Sequence, residues 1–244
     1  MKRVLVISDN EVLVEHLMKE ISEQGISEFA KFDFFFSKGN RNATGLSKLG
    51  MKPISLNEES VTKKIIITYQ LVLSLHCKQL FPRCIVNNIA CVNFHPGFNP
   101  YNRGWYPQVF SIINKKPFGA TIHVIDEFVD HGPIIVQKEV EIHSFETSLE
   151  VYEKVVELEK DLITNELSSI VAGEYTASPV SQRGNINSIE DFYNLCQLDL
   201  DSFGTLREHI DLLRATTHGS FKNAFYVEGD KKVYVRIELT LDDN

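Results

Sequence analysis

The chain has 244 residues, of which 43% are hydrophobic, and its formal net charge at pH 7 is -8. This length and apolar content are enough for one full hydrophobic core with at most a small appendage. The net negative charge disfavours nucleic acid as the main partner, because neutralising many phosphates requires a basic face. A single diphosphate is not excluded, since a few local cations and backbone amides can hold it.

Membrane insertion, secretion and metal binding are also disfavoured. No apolar run approaches the roughly 20 residues of a membrane helix, and the N-terminal stretch MKRVLVISDNEV turns polar too early for a secretory signal. We therefore expect a cytoplasmic protein with no membrane partner. The four cysteines contain no C-x-x-C pair, and the spacing of four between Cys91 and His95 lacks a second pair. This pattern predicts free thiols rather than a disulfide framework or a metal site.

The first hundred residues alternate between predicted strands and helices. Apolar runs predict strands over 3–8, 32–36, 51–56, 70–75 and 89–95, and helical spacing predicts helices over 10–24 and 58–64. This alternation predicts an α/β fold with a doubly wound, mostly parallel sheet. In such sheets, ligands bind beyond the carboxyl ends of the strands. We therefore expect segments 76–82 and 93–105 and the loop near residue 130 to share one edge.

The rest of the chain is predicted to hold a helix over 105–114, a hairpin of strands 119–125 and 134–142, and a long helix over 149–172 that ends at Gly173. After residue 180 the stretch SQRGNINS is typical of a linker. Helices over 189–195 and 202–213 follow, and then a hairpin over 224–241 with Gly229 and Asp230 at its turn. The pattern predicts a main domain at 1–180 and a small C-terminal subdomain of helices and a β-hairpin at 181–244.

Asn93 and His95 stand at the end of the buried strand 89–95. They are two residues apart, so their side chains leave the same face of an extended backbone. Six Pro, Gly and Asn residues between 96 and 104 end the strand directly after His95. In isolation, an N-x-H pattern favours local hydrogen bonding to the backbone over chemistry. Its interpretation depends on a second segment of the chain.

That second segment is GATIHVIDEFVDHGPI, residues 119–134, which contains Asp130. Together with NFHPG and RGW it resembles the formyltransferases that use 10-formyltetrahydrofolate, whose catalytic Asn, His and Asp match Asn93, His95 and Asp130 in this order. Within that family, NFHPGFNPYNRGWYP and the short tail with FKNAF resemble the sugar N-formyltransferases that act on nucleotide-linked 4-amino-4,6-dideoxysugars. The resemblance covers residues 1–150 as a fold and is most specific over 91–134.

The resemblance implies formyl transfer from a folate nitrogen to an amine through a tetrahedral intermediate that bears an oxyanion. This reaction needs a hydrogen-bond donor to the oxyanion, a proton acceptor for the amine and a group that orients the acceptor. We assign Asn93 to the oxyanion, His95 to proton transfer, and Asp130 to orienting His95 and raising its pKa. His123 shares the more polar face of its strand with Thr121 and is interpreted as structural.

The resemblance also implies 10-formyltetrahydrofolate as cosubstrate, with no metal. Segment 78–81 matches the part of the family that forms the pterin pocket, largely through main-chain groups. Leu80 and Phe81 are equally compatible with core positions. The predicted cofactor-binding residues are Lys78, Gln79, Leu80 and Phe81.

The acceptor implied by the resemblance is dTDP-4-amino-4,6-dideoxyglucose, used for O-antigen or another surface polysaccharide. The loop after His95 must lie beside the reacting centre and can line a sugar pocket. The tail near residue 222 combines aromatic faces, on which a pyrimidine can stack, with a cation for a diphosphate; the alternative is a tail that packs onto the main domain. The predicted substrate-binding residues are Asn99, Tyr101, Arg103, Trp105, Tyr106, Lys222, Asn223 and Tyr226.

Two questions stay open at the level of the whole chain. A lone hairpin over 224–241 would expose an apolar face and an unpaired edge, so we expect it to contribute to a homodimer.

The competing functions are formyl transfer to glycinamide ribonucleotide or to charged initiator tRNA, and a non-catalytic protein that binds nucleotide sugar or folate. The tail weighs against the tRNA enzyme, because residues 181–244 contain eleven Asp and Glu against seven Lys and Arg. The intact Asn, His and Asp set weighs against a non-catalytic protein.

Overall fold

The computed structural model describes residues 1–182 and 184–242. The strands alternate with helices along most of the chain, as predicted. In chain order they are β1 (Lys2–Ser8), β2 (Ala30–Ser37), β3 (Lys52–Ile54), β4 (Leu71–Leu75), β5 (Ala90–His95), β6 (Arg103–Gly104), β7 (Gly119–Val124), β8 (Ile134–Glu139), β9 (Ile186–Asn187), β10 (Phe225–Glu228) and β11 (Lys231–Tyr234).

The helices pack on both sides of the central sheet. In chain order they are α1 (Glu11–Glu23), α2 (Thr44–Lys48), α3 (Glu59–Thr68), α4 (Arg83–Val86), α5 (Pro107–Asn114), α6 (Ser148–Ala172), α7 (Ile189–Cys196) and α8 (Leu206–Thr216). None of these helices, over the residues described, has the length and apolar character that crossing a membrane requires.

The central sheet has seven strands in the order β3-β2-β1-β4-β5-β7-β8. The strands from β3 to β5 are parallel to their neighbours, whereas β7 runs antiparallel to both β5 and β8. The prediction of a doubly wound, mostly parallel α/β sheet is therefore confirmed. The carboxyl ends of β4 and β5 lie side by side, with Leu75 opposite Phe94, so the segments that follow them share one edge.

The two largest apolar clusters of the described residues lie on opposite faces of the sheet, and a third cluster lies around Leu46 of α2. Val4 and Val6 of β1 belong to the larger cluster, with residues of α1, α5 and α6. Leu5 and Ile7 belong to the other cluster, with residues of α3 and α4. This division follows from the alternation of side chains along a strand, which is why the run VLVI is apolar at every position. Burying each such side chain contributes about 1.5–3 kcal/mol.

The helix ends follow from local sequence. Asn10 caps α1, and its side chain accepts a hydrogen bond of 3.1 Å from the Leu13 N–H. Thr147 and Glu150 form a capping box at the start of α6. Gly173 ends α6 in the left-handed region at φ 86°, as predicted. These contacts satisfy backbone groups that a helix leaves unpaired at its ends.

Several predicted bounds shift. The short helices α2 and α4 were not predicted, because four or five residues are too few to show a helical period. Helix α5 begins at Pro107 rather than at 105, since Tyr106 adopts a left-handed conformation. Strand β8 ends at Glu139 rather than at 142, and α8 spans Leu206–Thr216 rather than 202–213. The C-terminal hairpin forms with Gly229 and Asp230 between its strands, as predicted, but its second strand ends at Tyr234 rather than at 241.

The predicted linker is wrong in one respect. Residues 186–187 form β9, which pairs in parallel with β6 in the loop that follows His95. The sequence SQRGNINS has no strand pattern, and the pairing is a long-range contact that local composition does not reveal. Phe192, Cys196 and Ala215 belong to the same core cluster as β1 and α1. The division into domains at 1–180 and 181–244 stays a prediction.

Candidate active site

Asn93, His95 and Asp130 come together at the edge of the sheet. Asn93 and His95 lie at the end of β5, and Asp130 lies in the loop between β7 and β8. Asn93 Nδ2 donates a hydrogen bond of 3.1 Å to Asp130 Oδ1. His95 Nδ1 lies 3.6 Å from Asp130 Oδ2. One carboxylate therefore faces both side chains.

Asp130 is held from several directions. Its backbone is left-handed, with φ 45°. The Gly104 N–H donates a hydrogen bond of 3.1 Å to Asp130 Oδ2, and the buried Asn99 side chain donates one of 2.9 Å to the Asp130 carbonyl. The loop that follows His95 thus holds Asp130 through both its carboxylate and its backbone carbonyl.

His95 is almost completely buried, with 4% of its surface exposed. Its Nε2 atom has no hydrogen-bond partner among the described residues. A Cβ on Gly97 would overlap His95 Nε2, so only glycine leaves room beside this nitrogen. An unpaired buried nitrogen costs free energy that a reactant can recover by bonding to it.

Burial governs the protonation of this site. Burial lowers the pKa of His95 to about 4, although the neighbouring Asp130 carboxylate acts in the opposite direction. Burial also raises the pKa of Asp130, but His95, His123 and the Gly104 N–H outweigh this effect and hold it well below its usual range. At neutral pH the imidazole is uncharged and the carboxylate is ionised. Asp130 acts to raise the pKa of His95, as predicted, but burial outweighs this effect and the net shift of the pKa is downward.

His123 belongs to this site more closely than its interpretation as structural implied. Its Nε2 lies 3.3 Å from Asn93 Nδ2 and 3.6 Å from Asp130 Oδ1. Its Nδ1 lies 2.9 Å from the Val124 carbonyl, which favours a proton on Nδ1 and a free lone pair on Nε2. His123 reaches the site because it pairs with Asn93 across β5 and β7. A single sequence does not show that register.

Segment 78–81 leads away from the carboxyl end of β4. The Lys78 N–H donates a hydrogen bond of 2.8 Å to Asp9 Oδ2. The Gln79 side chain bonds the backbone of segment 54–56, and Phe81 packs partly against the smaller core cluster. Leu80 is 74% exposed. The backbone N–H groups of residues 79–81 have no partner among the described residues, so main-chain recognition of a ligand fits this segment.

The loop that contains the first group of predicted substrate residues runs beside Asp130. Asn99 and Arg103 adjoin the Asp130 loop, the latter through a hydrogen bond of 3.3 Å from Nη1 to the Val129 carbonyl. Trp105 is partly exposed. Tyr101 instead donates a hydrogen bond of 2.7 Å to Gln182, and Tyr106 packs on Phe192 at 4.2 Å between ring centroids. Tyr101 also makes a cation–π contact with Lys116, and Tyr106 makes a tilted ring contact with Trp105.

The predicted residues of the tail contact other parts of the C-terminal segment. Lys222 Nζ lies 5.6 Å from the centre of the Tyr234 ring, and Asn223 donates a hydrogen bond of 3.0 Å to the Thr216 carbonyl. Tyr226 lines a groove beside the end of α7. The structure therefore places these three side chains in a region separate from the contacts of Asp130.

A chain of side chains nevertheless connects the tail with the sheet edge. The Phe221 ring lies 5.8 Å from that of His218, which lies 5.7 Å from that of Tyr152 on α6. The Tyr152 hydroxyl lies 3.4 Å from His76 Nδ1, directly after β4. His76 in turn contacts the buried Glu159 carboxylate at 2.8 Å. Among the described residues no group of three potential ligands is arranged to hold a metal ion.

Comparison with known proteins supplies the family. Residues 1–167 match the protein family described as Formyl transferase, which is more than half of the chain. The chain belongs to the formyl transferase family. Residues 191–241 of this formyl transferase also match the N-formyltransferase dimerization C-terminal domain. The family predicted from the Asn, His and Asp motifs is confirmed, and the chain is a transferase.

Several relatives of this formyl transferase are similar over most of their length. The dTDP-4-amino-4,6-dideoxyglucose formyltransferase of Mycobacterium tuberculosis (strain H37Rv) is 48% identical over 177 residues, 72% of this chain and 76% of that protein. The X-ray structure of a sugar N-formyltransferase from Shewanella sp. FDAARGOS_354 is 46% identical, with a TM-score of 0.98 and full coverage of both chains. The 4-N formyltransferase from Francisella tularensis is 42% identical, with a TM-score of 0.91 and 99% coverage of both chains.

Proposed function

We propose that this enzyme transfers the formyl group of 10-formyltetrahydrofolate to the 4-amino group of dTDP-4-amino-4,6-dideoxyglucose. The observation that carries the proposal is the buried, unpartnered His95 Nε2 beside Asn93 and Asp130, in a formyl transferase that is 48% identical to an enzyme named for this acceptor. The folate supplies the formyl carbon when it is bound. The unpaired backbone N–H groups of residues 79–81 fit the pterin.

In this proposal His95 accepts the proton that the amine loses as it attacks the formyl carbon. Its imidazole is neutral at pH 7 because burial holds its pKa at about 4, so Nε2 offers a lone pair. The Asp130 carboxylate, 3.6 Å away, stabilises the imidazolium that forms briefly. The neutral His95 ring can therefore accept the proton from the amine and then pass it to the folate nitrogen that leaves the formyl carbon.

Asn93 donates to the formyl oxygen, which gains negative charge as the amine attacks. Its Nδ2 group carries two hydrogens, which now face Asp130 and His123. The amide must rotate as a unit to present one of them to the substrate oxygen, and the contacts with Asp130 and His123 set the position from which it rotates. His123 thus supports Asn93 in the same way that Asp130 supports His95.

Two broader statements accompany the proposal. We infer that the enzyme is a homodimer, because residues 191–241 match a dimerization domain and Val227 and Tyr234 of the hairpin are exposed. We also infer that it is cytoplasmic, since the cysteines are free thiols, as is typical of a reducing compartment. The product would serve the synthesis of O-antigen or another surface polysaccharide.

The test is a direct assay of the purified protein. We would offer 10-formyltetrahydrofolate separately with dTDP-linked 4-amino-4,6-dideoxyglucose, its 4-epimer, the free amino sugar, glycinamide ribonucleotide and methionyl-tRNA, and follow product mass by mass spectrometry. The expected result is a gain of one formyl group on the dTDP-linked glucose form. Formylation of glycinamide ribonucleotide or methionyl-tRNA instead, or binding without turnover, would support the competing functions.

A further inference from the structure

The segment predicted to be a linker lies along the loop that carries part of the active site. The Arg103 N–H donates a hydrogen bond of 3.1 Å to the Asn185 carbonyl, and the Trp105 N–H donates one of 3.0 Å to the Asn187 carbonyl. These bonds pair β6 with β9 in parallel. We call residues 184–187 the linker strand.

The two backbones are in close contact at both ends of the linker strand. Gly104 has φ 90°, and a Cβ there would lie 2.5 Å from the Asn187 carbonyl oxygen. A Cβ on Gly184 would overlap the Pro100 carbonyl oxygen. Each glycine lets one backbone approach the other more closely than a side chain would permit. The linker strand is therefore built against loop 100–105 and does not merely pass over it.

A buried cluster of amides fastens the middle of this contact. Asn102 is fully buried, and its Oδ1 accepts hydrogen bonds of 2.8 Å from Asn185 Nδ2 and 2.7 Å from Asn114 Nδ2. Its own Nδ2 donates one of 2.8 Å to Ser111 Oγ. Asn185 Oδ1 accepts a bond of 3.1 Å from the Asn102 N–H. Removing the Asn185 side chain would take away the acceptor of the buried Asn102 N–H and one of the donors to Asn102 Oδ1, which is costly.

The fastened loop ends at the carboxylate of the active site. Gly104 is two residues beyond Asn102, and its N–H donates the 3.1 Å hydrogen bond to Asp130 Oδ2. We infer that Asn185 is a positioning residue, and that through Asn102 the linker strand aims the Gly104 N–H at the Asp130 carboxylate. This inference rests on the proposed function, because it acts through the role given there to Asp130.

Other charged and titratable groups lie around the Asp130 carboxylate and His95. His95 adjoins the carboxylate from β5 and His123 from β7, and His76 and Arg103 influence His95 from the end of β4 and from loop 100–105. The Asn185 substitution removes none of them. Asn185 Oδ1 also accepts a hydrogen bond of 2.8 Å from Lys116 Nζ. A change in the titration of Asp130 that appears in Asn185→Ala but not in Lys116→Gln can therefore be assigned to the Gly104 hydrogen bond.

The test compares Asn185→Ala with the wild-type enzyme in two measurements. We expect kcat to fall about tenfold to a hundredfold, with KM for the folate nearly unchanged, because misplacing a catalytic group affects the chemical step. In the substrate-free protein, the ¹³C signal of the Asp130 carboxyl, identified with Asp130→Asn, should begin to titrate at higher pH. A carboxylate that loses a hydrogen-bond donor becomes easier to protonate.

Two further variants make the result decisive. Ile186→Ala removes a half-exposed side chain from the linker strand but keeps its backbone bonds, so it should retain wild-type kcat. Asn185→Asp keeps the acceptor for the Asn102 N–H but sets a carboxylate oxygen against Asn102 Oδ1, so it should also lower kcat, and it remains informative if Asn185→Ala folds poorly.

Three outcomes would overturn the inference. Wild-type kcat in Asn185→Ala, with Asp130→Asn inactive, would refute it and leave the proposed function intact. A loss of activity that only matches a loss of folded protein, with Asp130 titrating as in the wild type, would make Asn185 structural. Full activity in Asp130→Asn would refute the proposed role of Asp130 and this inference with it.

Discussion

At the scale of single residues, His95 is subject to two opposing electrostatic influences. Burial removes water from the ring and disfavours its charged form, whereas the Asp130 carboxylate favours that form. Burial prevails, so the ring is a neutral base that becomes charged only during turnover. The carboxylate stays ionised because His95, His123 and the Gly104 N–H outweigh its own burial.

The first prediction concerns the three side chains of the candidate active site. Asn93→Ala, His95→Ala and Asp130→Ala should each lower kcat about a hundredfold or more while the protein stays folded, because each removes a group that contacts the developing charge or its acceptor. The double variant of Asn93 and His95 should lose much less than the product of the single losses. Steady-state kinetics and circular dichroism would check this. Near-normal kcat in a single variant would remove that residue from the mechanism.

The second prediction concerns pH and stability. The pKa of His95 is lowered from an unfolded value of 6.5 to about 4. Between these values the unfolded chain binds a proton that the folded protein does not, so His95 makes the free energy of unfolding decrease as the pH falls from 6.5 to 4. His95→Gln should therefore show a shallower decrease in urea unfolding experiments over this range. The exposed His131→Gln is the control, and an equal change in both variants would contradict the assignment.

At the scale of elements, the sequence predicts regular structure well and contacts between distant segments poorly. Strands β1, β4 and β5 and helix α6 fall close to their predicted bounds because their apolar patterns and caps are local signals. Asn93, His95 and Asp130 were found by motif, and the structure brings them together. His123 was missed because its approach to Asn93 depends on the register of β5 with β7. The linker strand was missed because it contains only two paired residues.

The third prediction belongs to the C-terminal hairpin. Val227 is 54% exposed on β10, and Tyr234 is exposed on β11. A hairpin of two strands is marginal alone, so we expect it to pair with a second copy of the chain. Val227→Arg should convert the dimer to a monomer, as measured by light scattering. Ile67→Arg, at an exposed position on α3, is the control and should remain dimeric. A monomeric wild-type protein at working concentrations would contradict the proposal.

At the scale of the whole molecule, two regions must cooperate on one substrate. The sheet edge holds the groups proposed for chemistry, and the tail holds those proposed for the nucleotide. The contacts from Phe221 through His218 and Tyr152 to His76 connect these regions across α6. A nucleotide sugar is an extended molecule, so binding at the tail and reaction at the sheet edge are compatible.

The fourth prediction tests whether the tail binds the nucleotide while the sheet edge carries out the chemistry. Lys222→Ala and Tyr226→Ala should each raise KM for the nucleotide sugar several-fold, because each removes a proposed contact with diphosphate or thymine. KM for the folate and kcat should change little. The control is Lys232→Ala, which removes a cation 3.8 Å above the Phe225 ring in the same hairpin. A loss confined to folate affinity, or equal turnover of the free amino sugar, would refute the assignment.

The bond between Asn102 and Asn185 can form only after the ribosome has synthesised both residues, so it delays completion of the active site. The two residues are 83 positions apart in the sequence. At translation rates of 5–20 residues per second, the ribosome adds Asn185 roughly 4 to 17 seconds after Asn102. During that interval the nascent sheet can already contain β5 and β7, but loop 100–105 has no linker strand to pair with. A ribosome-bound chain should therefore acquire activity only after the linker strand has emerged, well after its catalytic side chains have been synthesised.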